Sequence, residues 1–311
     1  MRALVLGGSG AVGRVVAAQL ERLGWRTTRA SRQNPHAPLD LRAPSGIDAL
    51  HALARTHELV INASGIEDAG LVSAVAPAAY VDITATGRVL AELRDAALPG
   101  QRVLLGAGLV PGLSTMLIAE LPTKAGDDID LGIILGSGER HGPAAVAWTA
   151  ALAGRAVFAP PERDPVVNLR ESRRLTAPGG TRRYLRADFP DHVLLGSARD
   201  IRVRSYLALG DRLTTAALGL VGRVPRLARA VARAPHLGDD RWSLVARNRR
   251  TGEQRAASGR GQSRTTGILT ALGADALVRR STAGVVTLAD LLELDALPDF
   301  AAPGAATRSA D

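Results

Sequence analysis

Along the first 122 residues, short apolar runs alternate with stretches whose apolar positions recur at helical spacing. Residues 2–6 form the first run, and 14–23 carry apolar side chains three and four apart before Gly24 stops them. Residues 26–30 predict the second strand. Further strands are predicted at 39–41, 59–61, 79–83 and 102–105, and helices at 47–55, 68–76, 88–97 and 113–121. Runs this short and this apolar suit strands buried on both faces, and the spaced positions suit helices that cover them. Six strands alternating with helices predict a doubly wound parallel sheet, an α/β fold.

The rhythm changes near residue 125. Strands are predicted at 129–135, 184–187, 192–195, 201–207, 242–247 and 254–259, and helices at 143–152, 213–234, 266–277 and 288–294. Strands now follow strands, which predicts an α+β mixed-sheet domain.

The turn after the first strand carries the most specific chemistry. Gly8, Gly10 and Gly13 give the spacing G-x-G-x-x-G directly between a strand and a helix. One glycine permits the tight turn, the next permits close backbone approach to a pyrophosphate, and Gly13 permits the helix to pack closely. The helix N-terminus then offers unpaired N–H groups to phosphate. Gly7, Gly8, Ser9, Gly10, Ala11, Val12 and Gly13 are therefore predicted to bind a dinucleotide. Sites that prefer NAD usually place an acid about 20 residues further on. Here that region reads Arg29-Ala30-Ser31-Arg32-Gln33-Asn34, and Ser31 with Arg32 suits a 2′-phosphate. NADP(H) is predicted over NAD(H). Asp40 and Leu41 are expected near the adenine, and the loop Asn62-Ala63-Ser64-Gly65 near the ribose and nicotinamide.

The domain expectation is a Rossmann NADP-binding domain over 1–124 and a substrate and dimerisation domain over 125–297. Residues 281–297 are candidates to pack back on the first domain, and 298–311 read as a flexible tail. A homodimer is a candidate assembly.

Composition narrows the chemistry. There is no cysteine, which excludes thiol nucleophiles and thiolate metal sites and fits a reducing, cytoplasmic setting. The six histidines lack metal-ligand spacing, so no metal is expected. The N-terminal apolar run is too short for a signal peptide, and no run is long enough for a transmembrane helix. Net charge is +9, and Lys124 is the only lysine among 39 basic residues. Such a balance suits an anionic partner such as a nucleotide, a carboxylate substrate or nucleic acid, although an arginine-rich compositional background is the better account of most of these residues. Aromatic residues are only 3%, which argues against a single-stranded nucleic-acid platform.

The motifs GGSGAVGR, LVINASG, AYVDITATG and GAGLVPGLSTMLIAEL come in that order, and Ser263-Arg264-Thr265-Thr266 opens a late helix. This combination resembles the saccharopine dehydrogenase-like family of NAD(P)-dependent oxidoreductases. The resemblance implies a Rossmann domain followed by a mixed-sheet domain, and a reductase acting on C=N, with enoyl reduction of C=C as an alternative. Gly108 is expected at the cofactor, and Thr86, Pro111, Gly112 and Arg264 at a small-molecule substrate. A non-catalytic dinucleotide sensor on the same fold is the reading from another class.

Proton donors can be narrowed by counting. The residues four after Tyr80, Tyr184 and Tyr206 are Thr84, Asp188 and Gly210, so the tyrosine–lysine pair of short-chain dehydrogenases is absent. Asp82, Thr84 and His141 remain as candidate catalytic groups. Asp82 reads equally well as a cap or a buried hydrogen-bond partner. Residues 213–234 combine apolar and arginine positions, which suits either a packed helix or a membrane or carrier contact.

Overall fold

The computed structural model describes residues 1–136, 151–177, 180–224, 226, 239–298 and 303–304. His141, most of the helix expected at 143–152, the end of the 213–234 stretch and most of the tail lie outside the described residues. Two compact units are present. The first combines Met1–Leu113 with Ser263–Leu292, and the second combines Ser114–Gln262 with the chain from Glu293.

The first unit holds a six-stranded parallel sheet. Its strands are β1 (Arg2–Leu6), β2 (Arg26–Ala30), β3 (Leu59–Asn62), β4 (Ala79–Asp82), β5 (Arg102–Leu105) and β12 (Gly284–Val286), in the order β12-β5-β4-β3-β1-β2. Every residue of β3 and β4 is buried, as expected for strands covered on both faces. The helices are α1 (Ala11–Arg22), α2 (Gly46–Ala54), α3 (Gly70–Ala74), α4 (Gly87–Ala96) and α8 (Gln262–Arg279). From β1 the chain goes first to β2 and then back past β1 to β3. Right-handed crossovers in opposite directions put α1 on one face and α2, α3 and α4 on the other. Helix α8 joins α1: a Cβ on Gly267 would lie 2.6 Å from Val15 Cβ, and Trp25 Nε1 donates to Asp275 at 2.8 Å.

The sixth strand comes from an unexpected place. Residues 39–41 form no strand; only a bridge between Ser31 and Pro38 forms there. Pro38 has no N–H to donate, and Asp40 turns the chain by accepting from the Arg42 N–H at 3.0 Å. The sixth strand is instead β12, which pairs with β5 at the opposite edge of the sheet. This pairing is why Ser263–Leu292 belongs with the N-terminal unit; the sequence expectation divides the chain at 124/125 and lets 281–297 pack back.

The second unit is a seven-stranded mixed sheet. It comprises β6 (Asp128–Leu135), β7 (Ser172–Ala177), β8 (Gly180–Arg186), β9 (Arg202–Leu209), β10 (Arg241–Asn248), β11 (Gln254–Arg260) and β13 (Pro303–Gly304). The order is β13-β11-β10-β6-β9-β8-β7, with β6 and β9 parallel and the other pairs antiparallel. Helices α6 (Asp191–Arg199) and α7 (Arg212–Arg223) lie against β9, and α7 also against β8. The strand expected at 192–195 is thus the middle of α6. A three-residue apolar run fits either state. Here Pro190 opens the first turn and accepts from the Val193 and Leu194 N–H groups. Strand β7, Ser172–Ala177, has no counterpart in the sequence expectation.

Helix α5 (Leu113–Ala119) follows β5, and α9 (Leu288–Leu291) follows β12. Thr287 and Asp290 cap α9 reciprocally, the Thr287 N–H donating to Asp290 at 2.7 Å.

Candidate dinucleotide and substrate site

Strand register gathers the site along one sheet edge. Leu6 pairs with Asn62, Asn62 with Asp82, and Asp82 with Leu105. The loops after β1, β3, β4 and β5 therefore leave the sheet side by side at its carboxyl end. The strand order reverses between β1 and β3, the switch point at which ligands of open α/β sheets sit.

The glycine turn is closely built. Gly7 has φ +71°, and a Cβ there would lie 2.5 Å from the Ala63 carbonyl oxygen and 2.6 Å from Ser64 Cα. The β1 and β3 loops thus touch, backbone to backbone. A Cβ on Gly8 would meet Arg29, and one on Gly13 would meet the Gly7 carbonyl. Gly10 differs: its only near neighbour is the Gly7 oxygen at 3.1 Å, and it is exposed. Gly10 caps α1 without a side-chain hydrogen bond, and no acid lies in the first turn. The first-turn N–H groups, from Ala11, Val12 and Gly13, are those a helix leaves without intrahelical partners. A backbone with no Cβ beside such N–H groups fits a pyrophosphate.

At the end of β2, the Ser31 hydroxyl lies 3.0 Å from that of Ser9, joining this strand end to the glycine turn. Arg32 is exposed and makes no hydrogen bond or ion pair among the described residues. Arg29 is engaged, with Glu21 at 3.3 Å. Asp40 and Leu41 lie in a turn packed under Gly46, whose Cβ would lie 2.5 Å from the Asp40 carbonyl oxygen.

The β3 and β4 ends share a buried polar network. Asp82 is 2% exposed, and both its oxygens are occupied. Oδ2 accepts from the Tyr80 hydroxyl at 2.6 Å and from Asn62 Nδ2 at 2.9 Å, and Oδ1 accepts from the Thr84 N–H at 2.7 Å. Burial raises the Asp82 carboxyl, and the three donors partly offset it. Burial, and then the neighbouring Asp82, push the Tyr80 hydroxyl well above its ordinary value. Asn62 Oδ1 accepts from the Ser64 hydroxyl at 2.6 Å and its N–H at 3.2 Å, and Nδ2 reaches the Ile66 carbonyl at 3.0 Å. Asn62 therefore shapes the 62–65 loop, which Gly65 continues at φ +72°. Asp82, with two donors on Oδ2 and one on Oδ1, has the geometry of a brace between strand ends, the buried-partner alternative.

The more accessible polar groups at this edge lie one step further out, Thr84 and Thr86 half-buried and Glu67 exposed. Thr84 and Thr86 both donate to Glu67 Oε1, at 2.7 and 2.6 Å. Glu67 is exposed and is absent from the sequence expectation. Its signal is weak, one acid in a loop, because only folding brings residue 67 beside 84 and 86.

The loop after β5 is clasped by α8. Thr270 donates to the Ala107 carbonyl at 2.8 Å, and the Leu109 N–H donates to the Thr266 hydroxyl at 3.3 Å. The Val110–Pro111 peptide is cis, and the Gly108 N–H donates to the Pro111 carbonyl at 3.0 Å. Gly112 has φ +140°, with its Cβ position filled by the Gly108 carbonyl. Gly108, Pro111 and Gly112 thus fold on one another. Arg264 lies exposed in the first turn of α8 and has no partner among the described residues. No cluster of three metal-ligating side chains occurs among the described residues, and no described helix is long and apolar enough to cross a membrane.

No protein-family model matches the chain. No curated protein sequence matches it. Among solved structures, one similar chain is the 3-alpha-hydroxysteroid dehydrogenase from Pseudomonas sp. B-0831 complexed with NADH. It has 18% identity and a TM-score of 0.22, over 39% of this chain and 54% of that one. Another is a Burkholderia pseudomallei protein named as an exported protein, also at 18% identity and a TM-score of 0.22, over 67% of this chain and 98% of that one. Likenesses this low carry no functional argument, which rests on the site alone.

Proposed function

We propose that the chain is an NADPH-dependent reductase of the saccharopine dehydrogenase type, acting on a C=N bond in a small metabolite. The observation that carries this reading is the uncapped, acid-free N-terminus of α1 behind Gly10, set beside the 62–65 loop at the sheet's switch point. Gly10, Ala11, Val12 and Gly13 would hold the pyrophosphate through backbone N–H groups. Ser31 and Arg32 would hold the 2′-phosphate. A charge-assisted contact of this kind contributes about 1.5–3 kcal/mol, or roughly 10- to 150-fold in affinity.

When bound, NADPH supplies a hydride to the imine carbon. The imine nitrogen then needs one proton, and the chain must hold it at a group the substrate can reach. Thr84, Thr86 and Glu67 form the hydrogen-bonded set at the β4 end suited to that role. Asp82 acts through them as a positioning residue, since it fixes the Thr84 N–H.

The test has two arms. NADPH and NADH are titrated against wild type and Arg32→Asp, with a loss of at least tenfold for NADPH expected in the variant. NADPH oxidation is then followed with a panel of cyclic imines and enones. Equal NADPH affinity in the two proteins overturns the 2′-phosphate assignment. Tight binding without turnover on any substrate overturns the reductase reading in favour of a sensor.

A further inference from the structure

The outward face of α7 is inverted relative to an ordinary surface helix. Leu213, Ala216, Ala217, Leu220 and Val224 all point to solvent, spaced along one side of the helix. Leu213 is 83% exposed, Leu220 52% and Val224 43%, three of the five large exposed apolar side chains among the described residues. The inner face is already satisfied: Leu218 and Val221 are buried, and a Cβ on Gly219 would rest on Leu185.

Arginines without acids surround this face. A pocket of about 470 Å³ beside α7 is lined by Arg174, Arg182, Arg183, Arg212 and Arg223. Asp211, its one acid, is engaged in capping the helix through the Thr214 N–H at 2.8 Å. Arg182 is tied to the Gly210 carbonyl at 2.7 Å. Arg174, Arg183, Arg212 and Arg223 are exposed and make no ion pair among the described residues. Arg174 sits directly opposite Arg183 in the β7–β8 ladder. Two like charges facing each other across strands oppose folding, so the pair has no structural use that an uncharged pair would not serve better.

We infer that α7 and the β7–β8 arginines form a docking face for an anionic lipid surface, the apolar side chains entering the acyl boundary and the arginines meeting the headgroup phosphates. Charge argues against a second copy as the occupant. A two-fold contact sets each patch against itself and would bring these arginines together. An acidic protein partner is disfavoured by the apolar side chains, which are aliphatic and small with no aromatic anchor of the kind that dominates protein interfaces. The 12-residue helix is suited to lying in the interface rather than crossing it.

Full-length protein is sedimented with vesicles of phosphatidylglycerol and phosphatidylcholine, and with phosphatidylcholine alone. Binding is expected only to the anionic vesicles and is expected to fall in high salt. Leu213→Glu/Leu220→Glu abolishes it. Arg174→Ala/Arg183→Ala weakens it about 25-fold, since each arginine near an anionic surface contributes about fivefold. The arginine pair variant keeps or raises the melting temperature, because the opposed charges go. Equal binding to neutral vesicles, or no binding to either, overturns the inference. So does a wild-type dimer that the leucine variant splits without vesicle binding. Thermal stabilisation by free glycerol phosphate with no vesicle binding also overturns it, in favour of a soluble anion.

Discussion

Replacing Asp82 by alanine tests whether the β3 and β4 ends are held by one carboxylate. The substitution leaves the fully buried Tyr80 hydroxyl and the Thr84 N–H without an acceptor, while Asn62 keeps its bond to Ile66. Each orphaned buried donor costs about 1–3 kcal/mol. Relief of the carboxylate's own burial offsets part of that, as the upward shift of its carboxyl indicates. The expected net loss is about 2–5 kcal/mol, a large part of a typical stability of about 5–15 kcal/mol. At about 2–4 °C per kcal/mol, the melting temperature should fall by roughly 5–15 °C. Thermal and urea melts of Asp82→Ala measure it. A cycle of Tyr80→Phe, Asp82→Asn and the double variant isolates the pair, with a coupling of at least about 1 kcal/mol expected. An alanine variant within about 0.5 kcal/mol of wild type, or an additive cycle, refutes the brace.

The glycine turn separates binding from stability. Gly13→Val collides with the Gly7 carbonyl and should cost about 1–3 kcal/mol; Gly10→Val meets little and should melt near wild type, yet lose NADPH binding in a fluorescence titration. Glu67→Gln keeps an acceptor for Thr84 and Thr86 but removes the charge, so NADPH oxidation on any active imine should fall about 10²-fold or more with cofactor affinity unchanged. In the second unit, Asp191 is fully buried, accepts from the Ser114 hydroxyl at 2.6 Å, and has its other oxygen unpaired. Burial pushes its carboxyl up to about 7. Between about pH 4 and pH 7 the folded chain then holds a proton the unfolded chain has lost, so stability falls as pH rises, by about 4 kcal/mol at most. Urea melts at pH 5 and pH 8 should show wild type weakening more than Asp191→Asn, and parallel curves would exclude the titration.

Strands β1, β3, β4 and β5 were legible because each is an apolar run closed by glycine or a small polar loop, and β2, Arg-Thr-Thr-Arg-Ala, because it follows the α1 pattern and Gly24; the 6–62–82–105 register follows from parallel pairing of the apolar runs. The sixth strand was not. Gly284-Val285-Val286 is too short to show which strand it joins, since its partner β5 lies 182 residues earlier in the register Gly284–Arg102. Residues 39–41 run beside the end of β2, at the opposite edge of the sheet from β12, and there a proline with an Asx turn prevents a strand. Strand β7 was hidden by its arginines: only Leu175 and Ala177 face inward. In the site, Asp82 was visible as an acid on a strand, but its role depends on Tyr80 and Asn62, which reach it from the same strand and from the next. Glu67 was invisible for a related reason. A loop acid acquires meaning only when two hydroxyls from another loop are folded onto it.

The arginines show how far composition alone can carry such a reading. In sequence they form one background, and the structure sorts them by partner. Asp130, 1% exposed, takes Arg249 through two nitrogens and Arg173 through a third. Asp128 takes Arg202 and Arg204, and Glu162 takes Arg204 and the fully buried Arg186. Charges removed from water this far need such partners, and stripping one away leaves the other uncompensated at a cost of about 3–5 kcal/mol where burial is complete. These arginines hold the mixed sheet. Many others have no ion pair among the described residues, and six of these, Arg32, Arg264, Arg174, Arg183, Arg212 and Arg223, lie at the end of β2, in the first turn of α8 and beside the α7 face. An unpaired exposed arginine costs little to keep, so one alone says nothing. Two set opposite each other in a ladder, beside an apolar face turned outward, oppose both the fold and solubility, and a surface that carries both liabilities together is accounted for by a ligand that relieves both at once.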